Sequence, residues 1–204
     1  AIVVDTLAPT ASAGVFAYQT SHNISFSFDE DVSGTVGVED LSVRKQGDPS
    51  DLSTSGVSKT YGPGNAVTFT YSGQIPDGAY HGKLITTGLT DAAGNPISSD
   101  GGFDFFALAG DGNRNGQVEI TDFNILAANF GKAGQTFTQG NYDYSNDGAV
   151  TILDFNVLAV NFGKQVTVPT GPSSFLVEGA IVSTVPENSM ITSPNDNLLT
   201  DVLA

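Results

Sequence analysis

The chain of 204 residues has no cysteine, no tryptophan, a single methionine and only two histidines. Without cysteine there is no disulfide framework, no thiolate nucleophile and no thiolate metal site. Secretion stays compatible, because a sandwich-sized core needs no covalent staple. Positive charge is nearly as scarce: seven Lys and Arg stand against 22 Asp and Glu, a net charge of −15. No basic cluster is present to neutralise phosphates, which argues against nucleic acid and against anionic membrane surfaces. No apolar run approaches the roughly 20 residues of a membrane span. There is no G-x-S-x-G elbow and no histidine pair at zinc spacing. His22, in a loop before a strand, and His81, on the outward side of one, read as solvated. The chain starts at Ala1 in mid-pattern with no signal peptide in view, and is read as part of something longer.

What the sequence does have is one pattern written twice, 32 positions apart. DGNRNGQVEITDFNILAANFGK runs from Asp111 to Lys132, and DYSNDGAVTILDFNVLAVNFGK from Asp143 to Lys164; 13 of the 22 aligned positions are identical. Such a fixed-period repeat has to be settled before any other reading.

Each copy opens with twelve residues that fit a calcium loop, with oxygen ligands at positions 1, 3, 5, 7, 9 and 12 and Gly at 6. The first loop offers Asp111, Asn113, Asn115, the carbonyl of Gln117, Glu119 and Asp122 around Gly116. The second offers Asp143, Ser145, Asp147, the carbonyl of Ala149, Thr151 and Asp154 around Gly148. The six carboxylates between Asp111 and Lys164 all fall on ligand positions, where a merely solvated acidic face would scatter them. The bland alternative is a pair of Asn/Asp/Gly turns. After each loop apolar residues recur at i, i+3, i+4 and i+7: Phe123, Leu126, Ala127 and Phe130, then Phe155, Leu158, Ala159 and Phe162. Two short helices follow, with their stripes assigned to the core, stopped by Gly131 and Gly163 and trailed by Lys132 and Lys164. At about eleven residues such helices are marginal alone and must pack on each other. Phe137 and Tyr142, in the inter-repeat link, are expected to plug the space between them.

Doubled D-x-[NS]-x-[DN]-G-x-V-x-I-x-D loops, each followed by one helix and preceded by none, resemble a type I dockerin module. The resemblance implies two calcium ions, an antiparallel helix pair and a cohesin-like protein module as partner. It also carries the ligand roles onto Asp111, Asn113, Asn115, Asp122, Asp143, Ser145, Asp147 and Asp154. The pairs Ile120-Thr121 and Ile152-Leu153, and Ala127-Ala128 and Ala159-Val160, depart from the recognition residues of cellulosomal members. The likeness is therefore to the divergent kind found outside cellulosomes.

Before the repeat, short alternating runs read as all-β. They are Ile24/Phe26/Phe28, Leu41/Val43, Val67/Phe69/Tyr71, Tyr80/Gly82/Leu84 and Phe103/Phe105, divided by turn signals such as Gly62-Pro63-Gly64-Asn65 and Gly94-Asn95-Pro96. ISFSFDEDVSG, IPDGAY and GLTDAAGNPIS resemble bacterial Ig-like modules. The carboxylates Asp29-Glu30-Asp31 and Glu39-Asp40 read as turns or a solvated edge, with an extra calcium site as a lesser alternative. The expected fold is thus multi-domain: residues 1–8 end a preceding module, 9–108 form an Ig-like β-sandwich, 109–166 a small all-α dockerin-like unit with double calcium loops, and 167–204 a linker and tail. Val166–Ser174 reads as extended linker; Phe175–Val185 has the apolar content of a strand and Asn195–Ala204 that of a terminal helical turn, with disorder the expected state of both.

The expected function is a non-catalytic, calcium-binding attachment region of a secreted or surface protein. Two alternatives stay open. One is the accessory end of an extracellular polysaccharide-degrading hydrolase; the other is a calcium-stiffened stalk with no cohesin partner.

Overall fold

Alternation of apolar and polar side chains decides the first half of the chain, and the aromatic residues on the inward positions decide where it packs. The structure, a computed structural model, describes residues 4–170. Seven strands run in order: β1 (Val15–Ala17), β2 (Asn23–Ser27), β3 (Leu41–Lys45), β4 (Val57–Gly62), β5 (Ala66–Tyr71), β6 (Gly78–Leu84) and β7 (Phe103–Ala107). They pair into two antiparallel sheets, one in the order β1-β2-β5-β4 and the other β3-β6-β7. Register follows the pattern: Ile24 faces Phe69 and Phe26 faces Val67 in one sheet, while Tyr80 faces Phe105 in the other. All six side chains are buried.

Between the sheets the core is largely aromatic. Phe16 meets Phe105 at 4.5 Å between ring centroids, Phe26 meets Phe103 edge-on at 5.9 Å, and Tyr80 stacks on Phe105 at 5.3 Å. Rings of this size bury large apolar areas and gain further from edge and offset contacts. The inward position between Tyr80 and Leu84 is Gly82, where an added Cβ would lie 2.6 Å from the Phe103 ring. The glycine there is a cross-strand seat for the aromatic, not a turn.

β1 and β4 were not among the strands expected from the sequence. β1 is three residues long with one buried side chain, Phe16, too few to show alternation, and β4 is an edge strand whose middle residues Ser58, Lys59 and Thr60 are exposed.

Two helices make up the second half, α1 (Ile120–Asn129) and α2 (Ile152–Asn161), with a 3-10 turn at Phe137–Gln139 between them. Leu126, Leu158, Phe137 and Tyr142 are buried, and Phe123 meets Phe155 edge-on at 6.4 Å. Phe137 and Tyr142 are the plugs the sequence pointed to. The apolar stripe is a correction, however: Phe130 and Phe162 are 53% and 55% exposed, and Ala127 and Ala159 are exposed as well. Two ten-residue helices shield only the inner half of each other's stripe.

Apolar packing does not stop between the halves. One cluster runs from the sandwich through Phe106, Ala107 and Leu108 to Val118, Leu126, Val150 and Leu158. At the far end Val166 donates its N–H to the Gly116 carbonyl (2.9 Å), and Val166 and Val168 pack against this cluster rather than leaving as a free linker. The expectations for Phe175–Val185 and Asn195–Ala204 lie outside the described residues.

Candidate metal loops and the face they support

Both twelve-residue loops fold around their acidic residues. In the first, Asp111 accepts from the N–H groups of Asn115 (3.1 Å) and Gly116 (2.9 Å), and Asp122 accepts from Asn113 (3.1 Å) and Glu119 (2.9 Å). In the second, Asp143 accepts from Ser145 N–H (2.9 Å), and Asp154 accepts from Asp143 (3.0 Å) and Thr151 (2.7 Å). Asp147 accepts from Ala149 N–H (3.1 Å). Asp122 and Asp154 are also the third helical residues of α1 and α2. Each closes its loop and caps its helix through the N–H of Glu119 or Thr151. A carboxylate there also sits at the favourable end of the helix dipole.

Gly116 and Gly148 occupy the sharp-turn position with φ of 84° and 61°. An added Cβ would also strike the Val166 carbonyl at 2.9 Å or the Gln135 N–H nitrogen at 2.6 Å, so glycine is required on both counts.

The two copies hold each other. Gly131 N–H donates to Val150 O (2.8 Å) and Val150 N–H to Lys132 O (2.9 Å); Gly163 N–H donates to Val118 O (2.9 Å) and Val118 N–H to Lys164 O (3.0 Å). The exit of each helix is thus paired with the other copy's loop, in matching registers. Tyr142, buried beneath, donates its hydroxyl to the Asp122 carbonyl (3.0 Å).

Asp111, Asp122 and Asp154 have no exposed surface. Glu119, Asp143, Ser145, Ala149 and Thr151 are partly buried, while Asn113, Asn115, Gln117 and Asp147 face solvent. Burial pushes the Asp111 carboxyl up to about 6, against the pull of the Gly116 N–H and the Arg114 charge, with Asp122 adding to the rise. Asp143 is raised too, by burial and by the neighbouring Asp154. A pair of neighbouring carboxylates, both buried in the first loop and one buried and one partly buried in the second, is costly as anions unless a cation joins them. An oxygen-only donor set of this kind fits a hard divalent ion.

Sequence reasoning missed Asn141, which is buried and accepts from both N–H (3.1 Å) and hydroxyl (3.1 Å) of Ser145, fixing that loop position. Its signal lay outside the repeated motif. His22 is a second correction. It is not solvated but buried, accepting from Ile75 N–H through Nδ1 (2.9 Å) and contacting Tyr144 Oη through Nε2 (2.8 Å). His81 is exposed as expected, beside Asp104. Of the adjacent acids, Glu30 brings a carboxylate oxygen within 4.8 Å of carboxylate oxygens of both Asp5 and Asp91. Asp40 is buried and accepts from Gly37 N–H (2.7 Å).

Outside the loops, the helices present an apolar surface. Ile120, Phe123, Phe155, Leu158, Ala159 and Phe162 line a shallow groove of about 370 Å³. Elsewhere on α2 Ile152 and Leu153 are each 58% exposed, and Val160, on the side away from Phe155 and Phe162, is 78% exposed.

Residues 109–162 match the family model described as the dockerin type I domain, and this part of the chain is a type I dockerin-like module. Dockerins are non-catalytic docking modules that bind calcium and typically partner cohesins. No curated protein matches the chain. Among solved structures, the S-layer protein rSbsC(31-844) is similar at 17% identity over 50% of this chain, with a TM-score of 0.38; the match spans 14% of that protein's chain. Among the described residues, no helix is long and apolar enough to cross a membrane.

Proposed function

We propose that this region is a non-catalytic, calcium-dependent attachment unit of an extracellular or surface protein, in which a dockerin-like module docks a cohesin-like partner and an Ig-like sandwich presents it. Two calcium ions are held, one by Asp111, Asn113, Asn115, the Gln117 carbonyl, Glu119 and Asp122, the other by Asp143, Ser145, Asp147, the Ala149 carbonyl, Thr151 and Asp154. The ions neutralise buried carboxylates and so fix the loops from which both helices start. The observation that carries the reading is that pair of interlocked loops, supporting helices whose outer faces stay apolar and uncovered. Docking then uses those exposed side chains, Leu153 and Val160 on one side of α2 and the groove at Phe123, Phe155 and Phe162 on the other.

The test is binding of the full chain to a panel of cohesin modules in calcium and in chelator, with calorimetry for the metal. Micromolar or tighter binding to one member, lost on chelation, supports the reading. Calcium uptake without binding to any member favours a calcium-stiffened stalk, a reading that the continuous core between the two halves also supports. No calcium uptake at all removes both.

A further inference from the structure

Only three non-glycine residues among those described have positive φ: Asn65, Arg114 and Tyr144. Two of them lie inside the metal loops, at φ of 62° and 58°, a conformation that side chains adopt at a cost. Neither is at a ligand position. Arg114 stands between Asn113 and Asn115, and Tyr144 between Asp143 and Ser145. With their neighbours turned to the loop interior, both side chains point outward, and both reach the β-sandwich.

Arg114 is inserted between two sandwich rings, its guanidinium 4.1 Å from the centroid of Tyr18 and 3.8 Å from that of Phe106, and Nη2 donates to the Phe106 carbonyl at 2.8 Å. Tyr144 places its hydroxyl 2.8 Å from His22 Nε2. Because His22 Nδ1 accepts from the Ile75 N–H, Nε2 carries the proton and donates to Tyr144. The Tyr144 ring meets His22 edge-on at 5.2 Å and stacks on Phe137 at 5.3 Å. Flanking these, Gln19 bonds Thr138 (3.2 Å), and Asp77 takes both Ala109 N–H (2.9 Å) and Lys164 Nζ (3.2 Å).

The two gripping positions are not equivalent in the repeat. Arg114 corresponds to Asn146, and Tyr144 to Gly112, where an added Cβ would come within 2.4 Å of Tyr142 Oη. The grip is therefore an addition specific to this sandwich, not a by-product of the loop pattern.

We infer that the metal loops are also the joint that locks the dockerin-like module onto the sandwich, so that calcium governs the module's seating as well as its helices. The inference rests on the reading of the loops as calcium sites. The backbone angles that gather the ligands are the ones that aim Arg114 and Tyr144. Metal binding and seating therefore favour the same loop conformation, and each must strengthen the other by an equal factor.

The test uses the full chain. Hydrogen exchange is followed in calcium and in chelator at the peptides covering Tyr18–His22 and Gln74–Asp77, with the β6–β7 pairing around Gly82 and Phe103 as internal control. Chelation is expected to lower protection at those two sandwich peptides about tenfold or more while the control holds. Calorimetry on Tyr18→Leu, which removes a ring from beneath Arg114 and no ligand, is expected to show calcium still bound but about tenfold more weakly at one site. Loss of protection confined to residues 111–154, with unchanged affinity in Tyr18→Leu, overturns the joint and leaves the calcium sites standing. Absence of calcium binding in the unaltered chain overturns both. If Tyr18→Leu fails to fold, the exchange comparison on the unaltered chain still decides.

Discussion

The sandwich and the helical module fill their interiors with different chemistry. Between the sheets lie Phe16, Phe26, Phe69, Tyr80, Phe103 and Phe105, all buried and mutually in contact through edge-on and stacked rings. In the helical module the apolar filling is thinner, and three fully buried carboxylates, Asp111, Asp122 and Asp154, lie in the loops beside it. One half is held by apolar area, which needs nothing from solution. The other holds buried carboxylates, whose charge a cation balances on the proposed reading.

The sharpest way to break that contrast is to hollow out the sandwich. Phe105→Ala removes a ring in contact with Phe16, Tyr80 and Phe103. It should cost about 3–5 kcal/mol, the usual range for a large aromatic lost from a core. The loss should be the same in calcium and in chelator. Denaturant titration followed by circular dichroism reads it, and a calcium-dependent cost would mean that the two interiors are not distinct.

Chelation is the converse experiment. At free calcium of 100 to 1,000 times the dissociation constant, removing the metal should withdraw about 3–4 kcal/mol per ion from the module. Helical dichroism should fall with it, since ten-residue helices are marginal alone. An undiminished helical signal in chelator would show that the buried carboxylates are sufficiently neutralised by their backbone N–H donors and by Arg114.

The third effect tests the seam. His22 is lowered to about 4, chiefly by burial and secondarily by the Arg114 charge. Above pH 6.5 the histidine is neutral in both folded and unfolded chains and contributes no pH dependence. As pH falls from about 6.5 towards 4, the unfolded chain takes up a proton that the folded chain refuses, so stability drops; below 4 the loss levels off. The full penalty is on the order of 3 kcal/mol. His22→Gln should start less stable at pH 7 and lack this part of the slope, so the gap between the two proteins narrows by pH 4.5.

Much of this was legible in the chain because it is local. The strands around Phe26, Phe69 and Tyr80 announce themselves by period-2 alternation, and the loops by oxygen-bearing residues at fixed spacing within twelve positions. What escaped is what depends on distant partners. A lone histidine carries no mark of whether it is solvated; His22 is buried by Ile75 and Tyr144, 53 and 122 residues away. The Gln19–Thr138 bond spans 119 residues. β1 and β4 escaped because an edge strand has little inward face to display. The helical stripes misled in the opposite direction: periodicity marks an apolar face but not whether anything covers it, and Phe130 and Phe162 are left half exposed.

The exposed side of α2 turned away from Phe155 and Phe162 supplies the smallest stability effect and the finest division of the molecule. Val160 is 78% exposed on α2, and its counterpart in the first copy is Ala128. Val and Asp have similar intrinsic helix propensity, but Val160 is the penultimate residue of α2, where an anion at the negative end of the helix dipole costs about 0.3–1 kcal/mol. Val160→Asp should therefore unfold within that margin of the parent and take up calcium unchanged. Any partner that buries the position must desolvate a carboxylate with no ion to meet it, a penalty of at least about 1–3 kcal/mol, or roughly 5- to 150-fold in affinity. Stability within that margin with weakened docking places Val160 in a recognition surface. A stability loss above about 1 kcal/mol would instead make this side of α2 part of the module's interior.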